Sequence, residues 1–230
     1  MSDRVAGEGI AVLIPVLNEA GGIGALLDRL LAMDFAEIVV ADGGSVDGTA
    51  DFVRAREGVR LVTSRRGRGV QINAAARTAS QPILLVLHAD TRLPADAPML
   101  IRGTLRNDAV AGCFRMGFDR PSWLLALYGW FTRFETGFTT FGDQAYFMRR
   151  EVFEAVGGAP DWPLLEDVAL RERLRARGRF VKRPERVVTS ARRFVQRGMF
   201  FQQARNLVVL TGYYCGVPVA RLAAVYGSAK

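Results

Sequence analysis

Two cysteines and one histidine are all that this 230-residue chain offers to a soft metal site. Cys113 and Cys215 lie far apart and in no metal-ligand spacing. A disulfide-stapled scaffold does not fit such a chain, and reduced thiols are the expectation. The opening stretch MSDRVAGEG is polar and lacks the apolar centre of a secretory signal, which predicts a cytoplasmic protein. Low-complexity tracts, internal repeats and clear linkers are also missing.

What is present is the balance of an ordinary folded protein: 50% hydrophobic and 23% charged residues, in a length that buries a full core. The formal net charge is +8, and it is unevenly placed. From Arg171 to Arg205 a run of arginines, with Lys182 among them, is opposed only by Glu172 and Glu185. Such a face suits nucleic acid, anionic lipid or a phosphorylated substrate, and it equally suits a solvated arginine-rich surface.

The first half alternates strand and helix. IAVLIPV (Ile10 to Val16) is a short apolar run, and Leu26, Leu27, Leu30 and Leu31 then recur at helical spacing. EIVVA (Glu37 to Ala41), VRLVT (Val59 to Thr63) and PILLVLH (Pro82 to His88) are further strands, with helices after the second and over Val70 to Ala79. Strands apolar on both faces with intervening helices predict an α/β fold built on a parallel sheet. Ligands of such sheets bind beyond the carboxyl ends of the strands. The residues that follow each run are Asn18 and Glu19, then Asp42, then Ser64 to Gly69, then His88, Ala89 and Asp90. Acids, amides, arginines and glycines gathered there suit a ligand with hydroxyls and phosphates. Asp47 is read as a helix cap.

Two phosphate-binding signatures are absent. The glycines form no GxGxxG fingerprint, which counts against a dinucleotide-binding domain. PVLNEAGG after the first strand carries no lysine, which disfavours nucleotidyl transfer. A nucleic-acid-binding module would explain the basic face but not acids at successive strand ends, which repel phosphates unless a metal intervenes.

IPVLNE, VADGGSVDGT and LHADT resemble the nucleotide-binding segments of family 2 glycosyltransferases, which have the GT-A fold. GDQAYFMRR, VGGAPDWPLLEDVAL and VTSARR resemble the acceptor half of a bacterial subgroup labelled arsenosugar-biosynthesis-type glycosyltransferases. The resemblance implies a nucleotide-diphosphate sugar as donor, a UDP-sugar favoured, and Mg2+ or Mn2+ as cofactor, held by Asp90. It implies nucleotide contacts from Pro15, Val16, Glu19, Asp42, Arg68, Gly69, Asn73, His88, Ala89 and Asp90. His88 stands where the family often has an aspartate.

In the acceptor half, Val110 to Phe118 and Ala145 to Arg149 read as strands and Trp123 to Phe134 as an aromatic-rich helix. A further helix is expected to begin near Glu166, where acids in a first turn suit the helix dipole. The resemblance makes Asp167 the catalytic base that takes the acceptor hydroxyl's proton, with Glu166 as supporting partner or second choice. Asp143 and Gln144 would line the sugar, with Asp143 a rival for the base. Arg192 and Arg193 would close over the diphosphate. Inversion at the anomeric carbon is likewise implied by the resemblance.

Met199 to Tyr226 is strongly apolar, but Gly212, Gly216, Pro218 and Arg221 interrupt it, so two short helices are expected rather than one membrane span. They would pack on the domain, pair two subunits as a homodimer or lie on a membrane surface. The resulting expectation is a GT-A domain over 1–198, with its nucleotide-binding half at 10–95 and acceptor half at 96–198, followed by a helical extension over 199–230. Its partners would be the sugar donor and a small-molecule or lipid-linked acceptor, not nucleic acid.

Overall fold

A computed structural model describes residues 9–191 and 199–227. Its centre is an eight-stranded sheet. Four strands come from the first half: β1 (Ile10–Val16), β2 (Glu37–Asp42), β3 (Val59–Thr63) and β4 (Ile83–Val86). The short β5 (Thr91–Arg92), the long β6 (Ala109–Phe118), β7 (Phe147–Arg149) and β8 (Arg179–Thr189) complete it. Their order is β3-β2-β1-β4-β7-β6-β8-β5. β1 pairs in parallel with both β2 and β4, β2 with β3, and β6 with β8; the pairs involving β7 or β5 are antiparallel.

Alternate side chains of the central strands enter two cores, as the pleat requires. Ile10, Val12, Ile14, Ile38, Val40, Ile83 and Leu85 face one way. They pack on α1 (Ala20–Leu31), α2 (Thr49–Arg54) and α4 (Ala97–Arg106) through Ile23, Leu27, Val53 and Ile101. Ala11, Leu13, Val39, Leu84 and Val86 face α3 (Arg68–Thr78), α6 (Arg150–Ala155) and α7 (Glu166–Arg175) through Ile72, Ala75, Phe153 and Leu170. This double coverage explains why the strands read as continuous apolar runs. The chain thus has an α/β architecture with a mostly parallel sheet, flanking helices and C-terminal helices.

Expected elements shifted at their edges for local reasons. The third helix starts at Arg68, two residues early, after Gly67 at φ 138°. The strand expected from Ala145 begins at Phe147, because Ala145 sits at φ 54° behind a 3₁₀ turn over Gly142–Gln144. The aromatic helix, α5 (Trp123–Phe131), stops three residues short.

The C-terminal segment forms α8 (Met199–Tyr214) and α9 (Val219–Tyr226), broken at Gly216 (φ 80°) and Pro218. Val209, Leu210 and Leu222 bury themselves against Leu165 and Val168. The Tyr213 hydroxyl donates to Glu172 Oε2 at 2.7 Å. Among the described residues no helix is long and apolar enough to cross a membrane. Cys113 is buried and Cys215 exposed, both as free thiols. Burial pushes the Cys113 thiol up to about 12, so it does not act as a thiolate near neutral pH.

Candidate active site

Register brings the strand ends together. Val16 pairs with Asp42, and Asp42 with Thr63, so three carboxyl ends lie side by side. Leu87 N–H donates to Leu13 O at 2.9 Å, so the chain from His88 to Asp90 continues past β4 at the same edge.

The loops after β1 and β2 are clipped to each other. Asp42 Oδ1 accepts from Ser45 N–H at 3.0 Å and from its hydroxyl at 2.6 Å. Ser45 Oγ accepts from Asn18 N–H, and Asn18 Oδ1 accepts from Val46 N–H, both at 2.9 Å. Asp47 is more than the expected cap. Its Oδ1 accepts from Thr49 N–H and its Oδ2 from Ala20 N–H, each at 3.0 Å, so one carboxylate serves the starts of α1 and α2. The Thr49 hydroxyl, then Ala20 N–H, hold this carboxyl below the usual carboxylate range. DGGSVDGT is therefore a rigid shelf, with Pro15 and Glu19 half-buried, Val16 buried and the Asp42 carboxylate at its edge.

Gln71, which no sequence motif marks, secures this shelf from below. Its buried Nε2 donates to Val16 O at 2.6 Å and Ala41 O at 2.9 Å, bridging the ends of β1 and β2. A glutamine one turn into a helix gives no such signal on its own; the register of the two strands does.

Asn73 and Gly69 are placed differently from the expected nucleotide contacts. The Asn73 amide is spent on Ala159, donating to its carbonyl at 2.8 Å and accepting from its N–H at 2.9 Å. Gly69 lies beneath the Pro160 carbonyl, where any Cβ would collide. Both residues dock the Gly157–Pro160 loop onto α3, joining the two halves of the domain. Gln144 is also turned inward: Nε2 donates to Thr139 O at 2.7 Å, and Cys113 Sγ lies 3.6 Å from Oε1.

The turn after β4 carries Asp90. Thr91 N–H donates to His88 O at 3.1 Å, and Ser190 N–H, at the end of β8, donates to Asp90 O at 3.2 Å. His88 and Asp90 are half-buried and Ala89 is buried. Among the described residues Asp90 Oδ1 has a long contact of 3.5 Å with the Thr91 hydroxyl. Arg192 and Arg193 lie outside the described residues. A cleft of about 380 Å³ opens beside this turn toward α1, lined by Asn18, Glu19, Gly22, Arg29, Asp90 and Arg92 among others.

On the α3 side of Asp90 lies a cluster of acids. Asp167 and Glu166 occupy the first turn of α7, which Leu165 enters at φ 62°. Glu166 is buried and accepts from Arg68 Nη1 at 2.7 Å. Burial pushes its carboxyl up while Arg68 opposes the shift, and Glu166 in turn raises the Arg68 guanidinium. The Arg68 side chain stays 41% exposed, so it can meet a ligand while neutralising Glu166. Asp167 is oriented by two backbone donors, Gly142 N–H to Oδ2 at 2.6 Å and Val168 N–H to Oδ1 at 2.9 Å.

Asp143 stands between these groups. Its Oδ1 is enclosed without a hydrogen-bond partner among the described residues. Burial, then the charges of Asp167 and Asp90, push its carboxyl up to about 7, against the pull of Arg68. A native carboxyl that keeps its proton to about pH 7 releases it on unfolding near the ordinary value. Stability therefore falls as pH rises from about 4 to 7 and then levels off. Asp143→Asn removes its share of that slope, while the raised Glu166 carboxyl contributes in the same direction. In metal-free thermal melts the variant should match the parent near pH 4 and exceed it by a few degrees at pH 8. A parent whose stability does not fall across that window would sink the placement of Asp143 among like charges.

No three His, Cys, Asp or Glu side chains among the described residues form a ready-made metal site. Mg2+ in nucleotide sites is commonly held by one or two carboxylates and completed by substrate phosphates. Asp90 and Asp143 match that donor set, and the enclosed Asp143 oxygen is the unsatisfied group a cation would satisfy.

Similar architectures recur in solved structures. A mannosyltransferase from Pyrobaculum calidifontis, in complex with GDP-Man and Mn2+, superposes with a TM-score of 0.68 at 22% identity, covering 90% of this chain and 63% of that one. Glucosyl-3-phosphoglycerate synthase from Mycobacterium tuberculosis, with Mn2+, UDP and glucosyl-3-phosphoglycerate, gives 0.65 at 19% identity over 93% of this chain and 82% of that one. In sequence, the undecaprenyl-phosphate 4-deoxy-4-formamido-L-arabinose transferase of Aeromonas hydrophila is 31% identical over 127 residues, 50% of this chain and 39% of that protein. An uncharacterized glycosyltransferase of Mycobacterium tuberculosis is 36% identical over 99 residues, 42% of this chain and 44% of that protein. The chain thus spans less than half the length of these two relatives in the matched regions. The model of glycosyl transferase family 2 matches residues 11–156, and the chain belongs to that family.

Proposed function

We propose that this protein transfers a sugar from a nucleoside diphosphate to an acceptor hydroxyl, with inversion. The observation that carries the reading is the gathering of Asp90, Asp143, Glu166, Asp167 and Arg68 beside the carboxyl ends of β1, β2 and β4. Asp42 is the residue we assign to the base: its Oδ1 is already used by Ser45, which leaves Oδ2 to accept from a base imide. A UDP-sugar is the favoured donor. Arg68 presents guanidinium N–H groups to a diphosphate, and Arg192 and Arg193 remain candidates for the same task.

Mg2+ or Mn2+ on Asp90 would offset the charge that builds on the departing diphosphate. In the transfer step the acceptor oxygen bonds to the anomeric carbon as the bond from that carbon to the diphosphate oxygen breaks. Asp167 takes the hydroxyl proton, and the nucleoside diphosphate leaves with the electron pair. The two backbone donors hold Asp167 at the site, and Glu166 fixes Arg68 rather than acting as a second base. The Aeromonas relative is named for an undecaprenyl-phosphate acceptor and the mycobacterial synthase for a small phosphorylated one. Lipid-linked and small acceptors thus both suit the reading, and the arsenosugar-type subgroup resemblance rests on the motifs alone.

The test is a thermal-shift panel of UDP, GDP, CMP and dTDP, each with and without Mn2+. A nucleotide at 100 times its Kd stabilises by about 2.7 kcal/mol. That corresponds to a Tm rise of roughly 5–10 °C for a chain of this size. Metal-dependent stabilisation by UDP is expected. No response to any nucleotide, with or without metal, would sink the proposal while leaving the fold intact.

A further inference from the structure

α5 is built the wrong way round for a helix on a soluble domain. It packs on β6 through Leu125, Gly129 and Thr132, a stripe of mostly small residues. The approach is close: a Cβ on Gly129 would lie 2.9 Å from Met116 O, and Met116 N–H donates to Thr132 Oγ1 at 3.0 Å. The large apolar residues are on the outside. Trp123, Leu127, Trp130 and Phe131 recur at i, i+4, i+7 and i+8, one face of the helix, with Phe134 just beyond its end, and Trp123 is 74% exposed. Rings of this face touch one another, Trp130 with Phe131 at 5.2 Å and with Phe134 at 5.5 Å between centroids. Phe138, also exposed, lies against Tyr214 at 5.1 Å between ring centroids. A contiguous exposed surface of this kind marks an interaction site.

We infer that this face docks the protein on an anionic lipid surface. Charge selects that occupant. Between Arg120 and Phe141 the sequence holds Arg133 and a single acid, Glu135. Glu135 is turned inward to the buried Arg171 and to Arg175, so it adds no negative charge to the face. The Arg133 guanidinium lies 5.1 Å from the Trp130 ring centre and 5.9 Å from that of Phe134, a cation bound to the aromatic stripe it borders. Tryptophan and arginine in this arrangement suit the headgroup layer, where rings enter the acyl boundary and guanidinium groups meet phosphates. The net charge of +8 acts in the same direction.

Lys182 Nζ donates to Phe134 O at 2.8 Å and to Thr139 O at 3.0 Å, bracing the segment that leads into Gly142 and Asp143. Docking would therefore set the acceptor side of the proposed site beside the membrane. The inference does not depend on the transferase reading, because vesicle binding and nucleotide binding are read separately.

The test is co-sedimentation of the full chain with phosphatidylcholine vesicles and with vesicles containing half phosphatidylglycerol. Binding should be at least about tenfold stronger on the anionic vesicles and weaken with added salt. Trp123→Ser, and separately Trp130→Ser with Phe134→Ser, should each cut partitioning by about tenfold or more while the response to UDP and Mn2+ is kept. Brominated lipid should quench Trp123 and Trp130 but spare Trp162, which packs on Tyr213. Three outcomes overturn the inference. One is a parent that stays in the supernatant with anionic vesicles; another is stripe variants that bind as the parent does. The third is a dimer that the variants dissociate, with no vesicle binding, which makes a second copy the occupant.

Discussion

Asp90→Ala should abolish the metal-dependent part of nucleotide stabilisation and lower transfer by about 10²–10³-fold. The substitution is a clean probe because the turn does not rely on the carboxylate. Backbone bonds hold it: Thr91 N–H to His88 O, and Ser190 N–H to Asp90 O. The side chain is half-buried and among the described residues makes one long contact, with Thr91, so its loss should change stability by less than about 1 kcal/mol. It should also relieve Asp143, on which Asp90 acts as a like charge. The variant's Asp143 would then titrate below the parent's, a second readout that does not need substrate. The check is the same melt panel run on parent and variant, with release of the nucleoside diphosphate followed in parallel. An Asp90→Ala protein that gains as much Tm from UDP with Mn2+ as its parent would remove Asp90 from the metal site.

The strand ends were legible in the sequence for a physical reason. Strands buried on both faces are written as unbroken apolar runs, so each run stops where the chain meets the ligand edge, and Asp42 and Asp90 stand at those stops. The start of α7 was legible too, because Glu166 and Asp167 fill a first turn where the helix dipole favours acids. Side-chain destinations were not. Asn73 and Gly69 lie where a phosphate-binding helix entry would be, but Ala159 and Pro160, about 86 residues further on, occupy that space. Gln144 follows Asp143 directly, yet the 3₁₀ turn sends the two side chains apart, one into the core and one to the acid cluster. Gln71 carries no sequence signal because its partners are backbone carbonyls of two strands. The aromatic content of α5 is plain in the sequence, but helical periodicity alone does not say that Gly129 rather than Trp130 faces the sheet. Each of these depends on what packs opposite, which local pattern does not contain.

Asp167→Asn should lower kcat by about 10²–10⁴-fold with little change in KM for the donor, since it removes a proton acceptor used only as the new bond forms. The geometry makes this more than an isosteric swap. Both carboxylate oxygens accept backbone N–H bonds, so the amide of an asparagine would point a donor at Gly142 N–H or at Val168 N–H. That mismatch should cost about 1–3 kcal/mol of stability, and unchanged stabilisation by UDP with Mn2+ is the control that the site still forms. Asp143 provides the discriminating comparison. Were it the base, activity in the parent would rise through its raised value of about 7, shifted lower by a neighbouring cation, and Asp143→Asn would be the more damaging change. With Asp167 as base, Asp143→Asn acts through the cation it would help to hold, so its loss is smaller than that of Asp167→Asn and is recovered at raised Mn2+. The two single variants, assayed side by side from pH 5.5 to 9, therefore assign the proton. A larger loss in Asp143→Asn than in Asp167→Asn would move the base to the 3₁₀ turn and leave Asp167 as the residue that holds that turn in place.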